Sequence, residues 1–170
     1  MKSQVLCPHC GKPYSMYRNP TPTADVVIYE PDRGVVIISR ANEPVGYALP
    51  GGFIDEGEQA EDAARREMLE ETGLDVELTG LLGVYSRPDR DPRQHTLTTV
   101  FTGTPRNPDA LCAGDDAANA AWYPLDKLPE PLVFDHAKIL ADFRDVLDGK
   151  RRLGDVQPSH KDDGKNGGSC

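Results

Sequence analysis

The stretch from Gly52 to Leu74, GFIDEGEQAEDAARREMLEETGL, constrains this chain more than any other. Residues 58–72 are rich in Ala, Glu, Arg and Met and contain neither Gly nor Pro, which predicts a helix that ends at Gly73. At about 100° per residue, three glutamates share one side of this helix: Glu67, Glu70 and Glu71. Small residues lie on the same side, where an amphipathic helix usually carries Leu or Ile: Ala60, Ala63 and Ala64. The pattern predicts that backbone or a ligand comes close to a row of carboxylates.

These three carboxylates would repel one another if all of them stayed ionised. Unit charges about 5–6 Å apart repel by about 3 kcal/mol at an effective dielectric constant near 20. A protein can protonate one carboxylate, pair it with Arg, or bind a hard divalent cation. Clustered carboxylates that face substrate phosphates are typical of Mg²⁺ and Mn²⁺ sites. The residues therefore favour a divalent metal site over a merely solvated acidic helix face.

The spacing of this stretch resembles the signature of the Nudix hydrolases. The matching residues are Gly52, Glu58, Arg66, Glu67, Glu70, Glu71 and Gly73. The family hydrolyses nucleoside diphosphates that are linked to another group. The resemblance implies its α/β fold, an α/β/α sandwich in which a mixed β-sheet lies between helices.

The same resemblance implies which groups bind Mg²⁺, or Mn²⁺ in its place. They are the carboxylates of Glu67, Glu70 and Glu71 and the carbonyl of Gly51. The resemblance also implies that Glu67, Glu70 and Arg66 belong to the catalytic machinery. We interpret Glu58 and Arg66 as residues that fix the loop and the helix, Arg66 by orienting a neighbouring glutamate.

A further acidic candidate, Asp116, comes just before a strand predicted at residues 120–123. In the family, an acidic residue at this place often joins the metal shell or acts as general base, and Asp116 matches it. Asp is one methylene shorter than the Glu commonly found there, which would return the role of base to a glutamate of the helix. A simple turn beside Gly114 is the alternative interpretation.

Residues 87–95, RPDRDPRQH, form the most charged loop of the chain. Planar guanidinium groups fit phosphate oxygens in pairs or stack on an adenine. The arrangement resembles the loop of bacterial and archaeal ADP-ribose diphosphatases within the Nudix family. The candidate substrate-binding residues are Arg87, Asp89, Arg90, Arg93 and His95, together with Phe53. A solvated hairpin tip is the alternative interpretation.

The resemblance implies Mg²⁺-dependent hydrolysis of ADP-ribose to AMP and ribose 5-phosphate. The main alternative is a diphosphatase that removes oxidised or other non-standard nucleoside triphosphates, because the same helix serves both reactions. An NADH diphosphatase is a third hypothesis, suggested by the CPxCG sequence at residues 7–11. A Nudix-like sensor that binds a nucleotide without cleaving it is a fourth, although the carboxylates are complete.

Three segments are expected: a short N-terminal segment at 1–20, the Nudix hydrolase domain at 21–149 and a disordered polar tail at 150–170. Cys7 and Cys10 resemble half of a zinc ribbon, and no second cysteine pair follows before the first strand. Zinc at Cys7 and Cys10, completed by His9 or a partner chain, is the alternative to a metal-free remnant. Residues 14–23 are expected to be a linker.

Hydrophobic, β-branched runs predict strands at 24–30 and 34–40, joined by a turn at 31–34. Their near-continuous hydrophobicity predicts a sheet covered by helices on both faces. Further strands are expected at 74–86, with a break at Gly80 as an alternative, and at 95–102. Residues 134–147 predict an amphipathic terminal helix, on which His136 is expected to be structural.

The net charge of −9 restricts the partners of the chain. An acidic surface repels polynucleotide backbones, so we expect no nucleic-acid partner. A small phosphorylated nucleotide remains acceptable because bound cations neutralise it locally. The chain has neither an apolar run near the roughly 20 residues that span a bilayer nor a signal-peptide core, which predicts a cytoplasmic protein without membrane contact. Homodimers are common in the ADP-ribose branch of the family, so a homodimer is one expected form.

Overall fold

Seven strands form one mixed β-sheet in the computed structural model, which describes residues 2–113 and 117–157. In chain order the strands are β1 (Lys2–Leu6), β2 (Pro13–Tyr17), β3 (Thr21–Glu30), β4 (Gly34–Arg40), β5 (Tyr47–Ala48), β6 (Gly51–Phe53), β7 (Val76–Tyr85), β8 (Thr96–Pro105) and β9 (Ala117–Tyr123). The helices are α1 (Ala60–Thr72) and α2 (His136–Leu147), and a short 3₁₀ helix spans Pro108–Ala110. No helix among the described residues is long and apolar enough to cross a membrane.

Strand β3 lies at the centre of the large sheet. It runs parallel to β8, from Thr21 beside Thr96 to Ile28 beside Gly103, and antiparallel to β4 and β6. Strand β7 pairs antiparallel with β8, while β5 and β9 pair antiparallel with β4. Strand β7 is continuous through Gly80, so the alternative of two strands is wrong. The pairing of β7 with β8 instead shifts its register between Leu78 and Gly80.

One helix covers each face of the sheet because successive residues of a strand point to opposite faces. On one face, Val26 of β3 packs in a buried cluster with Ala64 and Met68 of α1. On the other, Val27 packs in a second buried cluster with Ile139 of α2. The predicted α/β/α sandwich with a mixed sheet is confirmed.

Helix α1 begins at Ala60, close to the predicted start, and ends at Gly73 as predicted. Gly73 takes a left-handed φ of 67°, and its N–H donates to the carbonyl of Leu69 at 3.0 Å, which closes the last turn. Ala63 and Ala64 are fully buried against the sheet. Because these side chains are small, the helix approaches the sheet closely and its glutamates come to lie beside β6.

The expected linker at 14–23 is wrong for most of its length. Strand β2 pairs antiparallel with β1, from Lys2 beside Tyr17 to Leu6 beside Pro13, and β3 already begins at Thr21. Backbone pairing with β1, which the prolines nearby do not interrupt, decides the structure here. The intervening turn carries Cys7 and Cys10. Within the described residues no group of three or more His, Cys, Asp or Glu side chains is placed to hold a metal ion, so the zinc alternative gains no support.

Residues 150–157 pack against the domain, in contrast to the disordered tail expected from residue 150. Arg151 lies 3.2 Å from the carboxylate of Asp142, which is buried on α2. A Cβ added to Gly80 of β7 would lie 2.6 Å from Leu153, so the missing side chain makes room for this segment. The polar composition concealed these specific contacts, and residues 158–170 lie outside the described part of the chain.

Candidate active site

Two glycines of β6 face the carboxylates of helix α1. The N–H of Gly51 donates to Oε2 of Glu71 at 2.8 Å. A Cβ added to Gly52 would lie 2.4 Å from the carboxyl carbon of Glu67. A Cβ added to Gly51, whose φ is 153°, would lie 2.4 Å from Oδ1 of Asp25. Only glycine leaves space for the carboxyl groups that converge here.

The carboxyl groups beside these glycines have too little positive charge around them to ionise at their ordinary pKa values. Burial, together with repulsion from Glu67 and Asp25, raises the pKa of Glu71 to about 8. Burial raises the pKa of Asp25 to about 6, although Thr98 donates a hydrogen bond to it. Burial also raises the pKa of Glu67. A divalent cation would supply the missing charge, and oxygen ligands in a cradle lined by glycine suit Mg²⁺ or Mn²⁺. The charge and the glycine-lined space therefore fit the expected metal, while among the described residues the three glutamates are bonded to Arg66 and to the N–H of Gly51 and are not grouped as ligands.

Arg66 holds the acidic residues of the Nudix signature together. Its Nε and Nη2 donate to the two carboxylate oxygens of Glu58, both at 2.9 Å. Its Nη1 donates to Glu67 at 2.7 Å and to Glu70 at 3.1 Å. Its Nη2 also donates to the carbonyl of Phe53 at 3.1 Å. One guanidinium thus joins the loop, strand β6 and helix α1, as the interpretation of Glu58 and Arg66 predicted.

Replacing Arg66 with Ala is expected to weaken metal affinity by about 10–100-fold, the usual effect of losing a group that orients a metal ligand. The melting temperature should also fall, because the partly buried carboxylates of Glu58 and Glu67 lose their cation. Titration of activity with Mg²⁺ and thermal unfolding measure the two effects. The matched control is Arg65→Ala, since Arg65 contacts only its own helix turn among the described residues. Equal behaviour of the two variants would contradict the role given to Arg66.

Arg40, at the end of β4, is a cation of the site that sequence reasoning missed. It lines the same cleft of about 350 Å³ as Glu67 and Glu71. Within the described residues its guanidinium donates to backbone carbonyls, those of Pro44 at 3.0 Å and Glu43 at 3.4 Å. Burial, followed by repulsion from Arg93, lowers the pKa of Arg40. An anionic group of a ligand would relieve both effects.

The arginines predicted to bind substrate are paired with carboxylates of the protein. Arg90 is 4% exposed at its side chain and lies 2.8 Å from Asp135, and it also donates to Thr96 at 2.7 Å. Arg93 lies 2.8 Å from Asp91. Three more of the predicted residues lie in the same loop. Asp89 accepts from Arg87 at 3.2 Å, and Nε2 of His95 lies 3.0 Å from the carbonyl oxygen of Ser86. The substrate-binding role of these residues stays a prediction.

Three neighbouring cavities run from helix α1 towards α2. The cleft beside Glu67 shares four lining residues with a central cavity of about 130 Å³: Arg40, Gly51, Gly52 and Phe53. The central cavity shares Arg90 and Phe134 with an outer cavity of about 690 Å³. Arg87, Asp89 and Lys138 line that outer cavity. The structure thus brings Phe53 and the charged loop to one line of cavities, while Asp116 lies outside the described residues.

The sheet enclosed by two helices and the glycine-lined carboxylate cleft define the class of this protein, an α/β/α sandwich whose candidate active site lies on a helix. A family model described as the NUDIX domain matches residues 19–143, and the chain belongs to the Nudix family.

Several known proteins are similar to this chain. The ADP-ribose pyrophosphatase of Methanocaldococcus jannaschii is 46% identical over 134 residues, which cover 78% of this chain and 78% of that protein. A Bacillus subtilis protein named as a proposed 8-oxo-dGTP diphosphatase is 33% identical over 144 residues, 85% of this chain and 89% of that protein. The NUDIX domain of Shewanella oneidensis NrtR, solved in complex with ADP ribose, superposes with a TM-score of 0.62 at 25% identity and covers 77% of this chain and 90% of that one.

Proposed function

We propose that this Nudix hydrolase cleaves ADP-ribose to AMP and ribose 5-phosphate with Mg²⁺ as cofactor. The observation that carries the proposal is the line of three neighbouring cavities, with the carboxylate cleft at one end. Beyond the cleft, the central and outer cavities leave room for a bulky group attached to a diphosphate. The similarity to the ADP-ribose pyrophosphatase of M. jannaschii supports the same substrate.

In this proposal Mg²⁺, or Mn²⁺ in its place, would be held by four groups: the carboxylates of Glu67, Glu70 and Glu71 and the carbonyl of Gly51. The bound metal would acidify a water molecule and stabilise charge on the departing phosphate. Water attacks one phosphorus, the bond from that phosphorus to the bridging oxygen breaks, and a carboxylate accepts the proton of the water. Glu70 is the proposed base, because its side chain is 58% exposed and only one of its oxygens is bonded to Arg66. Glu67 and Asp116 are the alternative bases.

The positive groups along the cavities would bind the phosphates. Arg40 is the first of them, because it borders both the carboxylate cleft and the central cavity. Arg93 borders the central cavity and Arg87 the outer one, and each would exchange a carboxylate of its own loop for a substrate oxygen. Such an exchange costs little for Arg87, whose ion pair with Asp89 is exposed. It costs more for Arg93, because its partner Asp91 is buried. A cytoplasmic location, the absence of nucleic-acid binding and a homodimer remain predictions.

Removal of non-standard nucleoside triphosphates is the second candidate function. The B. subtilis relative favours it, because its match covers 89% of that protein. The two functions share the carboxylate cleft and differ in what the outer cavity receives. Substrate comparison therefore separates them.

The substrate experiment compares kcat/KM for ADP-ribose, NADH, a dinucleoside polyphosphate and 8-oxo-dGTP at saturating Mg²⁺. We expect ADP-ribose to exceed the others by at least about tenfold, since a group that fits its pocket is worth roughly 1–3 kcal/mol in discrimination. Chromatography should show AMP and ribose 5-phosphate in equal amounts, and excess EDTA should stop their release. A higher kcat/KM for 8-oxo-dGTP would replace the proposal with the second candidate.

A further inference from the structure

Phe134 has a backbone conformation that its side chain disfavours. Its φ is 58°, and it is the one residue other than glycine with a positive φ in the described ranges 2–113 and 117–157. The left-handed region is unfavourable for a bulky side chain, and such conformations persist only where the surroundings enforce them. Phe134 also lies outside the buried hydrophobic clusters of the described residues. Its ring instead packs beside that of the buried His136, with centroids 5.2 Å apart, so the hydrophobic core does not account for the strain.

Contacts on both sides of Phe134 hold the segment 131–136 in place. Before it, the carbonyl of Pro131 accepts from the N–H of Tyr47, and the N–H of Val133 donates to the carbonyl of Tyr47, both at 2.9 Å. After it, Nδ1 of the buried His136 accepts from the N–H of Leu49 at 2.8 Å. Burial lowers the pKa of His136 to about 3, so this ring stays neutral and structural, as the sequence predicted.

The largely buried ion pair of Arg90 and Asp135 also holds this segment. Nε of Arg90 lies 3.1 Å from both carboxylate oxygens of Asp135, and Nη2 lies 2.8 Å from one of them. Asp135 directly follows Phe134, so this pair fixes the backbone next to the strained residue. Nη1 of Arg90 also donates to Thr96 at 2.7 Å, so all three nitrogens of the guanidinium are held by the protein.

The ring of Phe134 borders both the central and the outer cavity. The guanidinium carbons of Arg40 and Arg93 lie 5.1 and 5.3 Å from its centroid. Both guanidinium groups lie over the ring, so a base that stacks on Phe134 would take the place of one of them and leave it facing the phosphates. A base stacks on aromatic rings, and guanidinium groups bind its phosphates.

We propose that Phe134 is the stacking surface for the nucleobase of the substrate, and that Arg90 and Asp135 are positioning residues that hold it there. This inference rests on the proposed function, because it assigns one part of that substrate to the central and outer cavities. It also changes the role of Arg90: the residue predicted to contact substrate becomes one that positions Phe134 through Asp135.

The test measures binding of AMP and of ribose 5-phosphate by calorimetry without added metal. Phe134→Leu keeps an apolar side chain of similar size but removes the aromatic face, whereas Phe134→Tyr keeps that face. Stacking is worth roughly 1–3 kcal/mol per base, so Phe134→Leu should weaken AMP binding by about tenfold or more. Binding of ribose 5-phosphate should stay within about twofold, and Phe134→Tyr should bind AMP as the natural protein does.

Stability separates a binding role from a packing role. Phe134→Asn should melt at or above the temperature of the natural protein, because Asn tolerates the left-handed region, and should bind AMP as weakly as Phe134→Leu. A lower melting temperature with unchanged AMP binding would show that Phe134 serves packing. Equal loss of AMP and ribose 5-phosphate binding, or no measurable AMP binding by the natural protein, would also overturn the inference.

The positioning role is tested by Asp135→Asn. This variant should raise KM for ADP-ribose and leave kcat nearly unchanged, and it should add little to the effect of Phe134→Leu when both are combined. Additive effects of the two substitutions on KM would contradict the positioning role of Asp135. If the natural protein binds AMP through Phe134 but does not cleave ADP-ribose, the proposed function fails while the stacking surface stands.

Discussion

Replacing Glu71 with glutamine is expected to lower kcat/KM by at least about a hundredfold, the usual size of losing one electrostatic contact to a transition state. The glutamine oxygen can still accept the hydrogen bond from the N–H of Gly51, so the fold should persist. What disappears is a negative charge beside the diphosphate and its metal. Initial rates with ADP-ribose over a range of Mg²⁺ concentrations measure the loss.

The control for this substitution is Glu61→Gln on the exposed first turn of the same helix, which should keep full activity. Circular dichroism should show that both variants are folded. Glu70→Gln is expected to lower turnover by orders of magnitude as well, because Glu70 shares Arg66 with Glu67. Normal activity of both Glu70→Gln and Glu71→Gln would remove the proposed metal site.

Without divalent cations the protein is expected to become less stable as the pH rises from about 5 to about 8. The pKa of Glu71 is about 8 in the folded protein against an ordinary value of 4.5, and that of Asp25 is about 6 against 3.8. In this interval the folded protein binds more protons than the unfolded chain, so the free energy of unfolding falls as pH rises. One pKa unit corresponds to about 1.4 kcal/mol, and after discounting for solvent we expect a total fall of roughly 2–4 kcal/mol.

Urea unfolding in EDTA at pH 5, 6, 7 and 8 measures this fall. Glu71→Gln should remove most of it above pH 6, because the largest of the raised pKa values is then gone and those of Asp25 and Glu67 remain. Added Mg²⁺ should restore stability at pH 8, since a ligand that binds only the folded state stabilises it. A flat profile in EDTA would mean that neighbouring arginines such as Arg40 already neutralise the carboxylates.

Much of the site could be predicted because the Nudix signature is local. One helix carries Glu67, Glu70 and Glu71, and a residue with left-handed backbone must follow it, so composition and spacing are sufficient. The buried strands were predicted for a similar reason, since β3 and β4 are hydrophobic on both faces. The mixed sheet that contains them agrees with the fold that the signature implied.

The remaining parts of the site depend on contacts between distant segments. Arg90 is separated by 45 residues from Asp135, its partner, and nothing local marks that pair. Asp25 lies within a hydrophobic strand and is brought to the glycines only by the pairing of β3 with β6. Phe134 was assigned to a helix, although it precedes α2 with a left-handed backbone. Pairing and strain of this kind are set by the whole fold.

The segment after α2, residues 150–157, belongs to the smallest fragment of this protein that we expect to be stable. The family match stops at residue 143, yet Arg151 and Gln157 both hold Asp142, and Leu153 fills the space above Gly80. A version shortened to the matched region would leave a buried carboxylate with fewer cations and uncover the face of β7. Biochemical work should therefore keep the chain intact at least through Gln157.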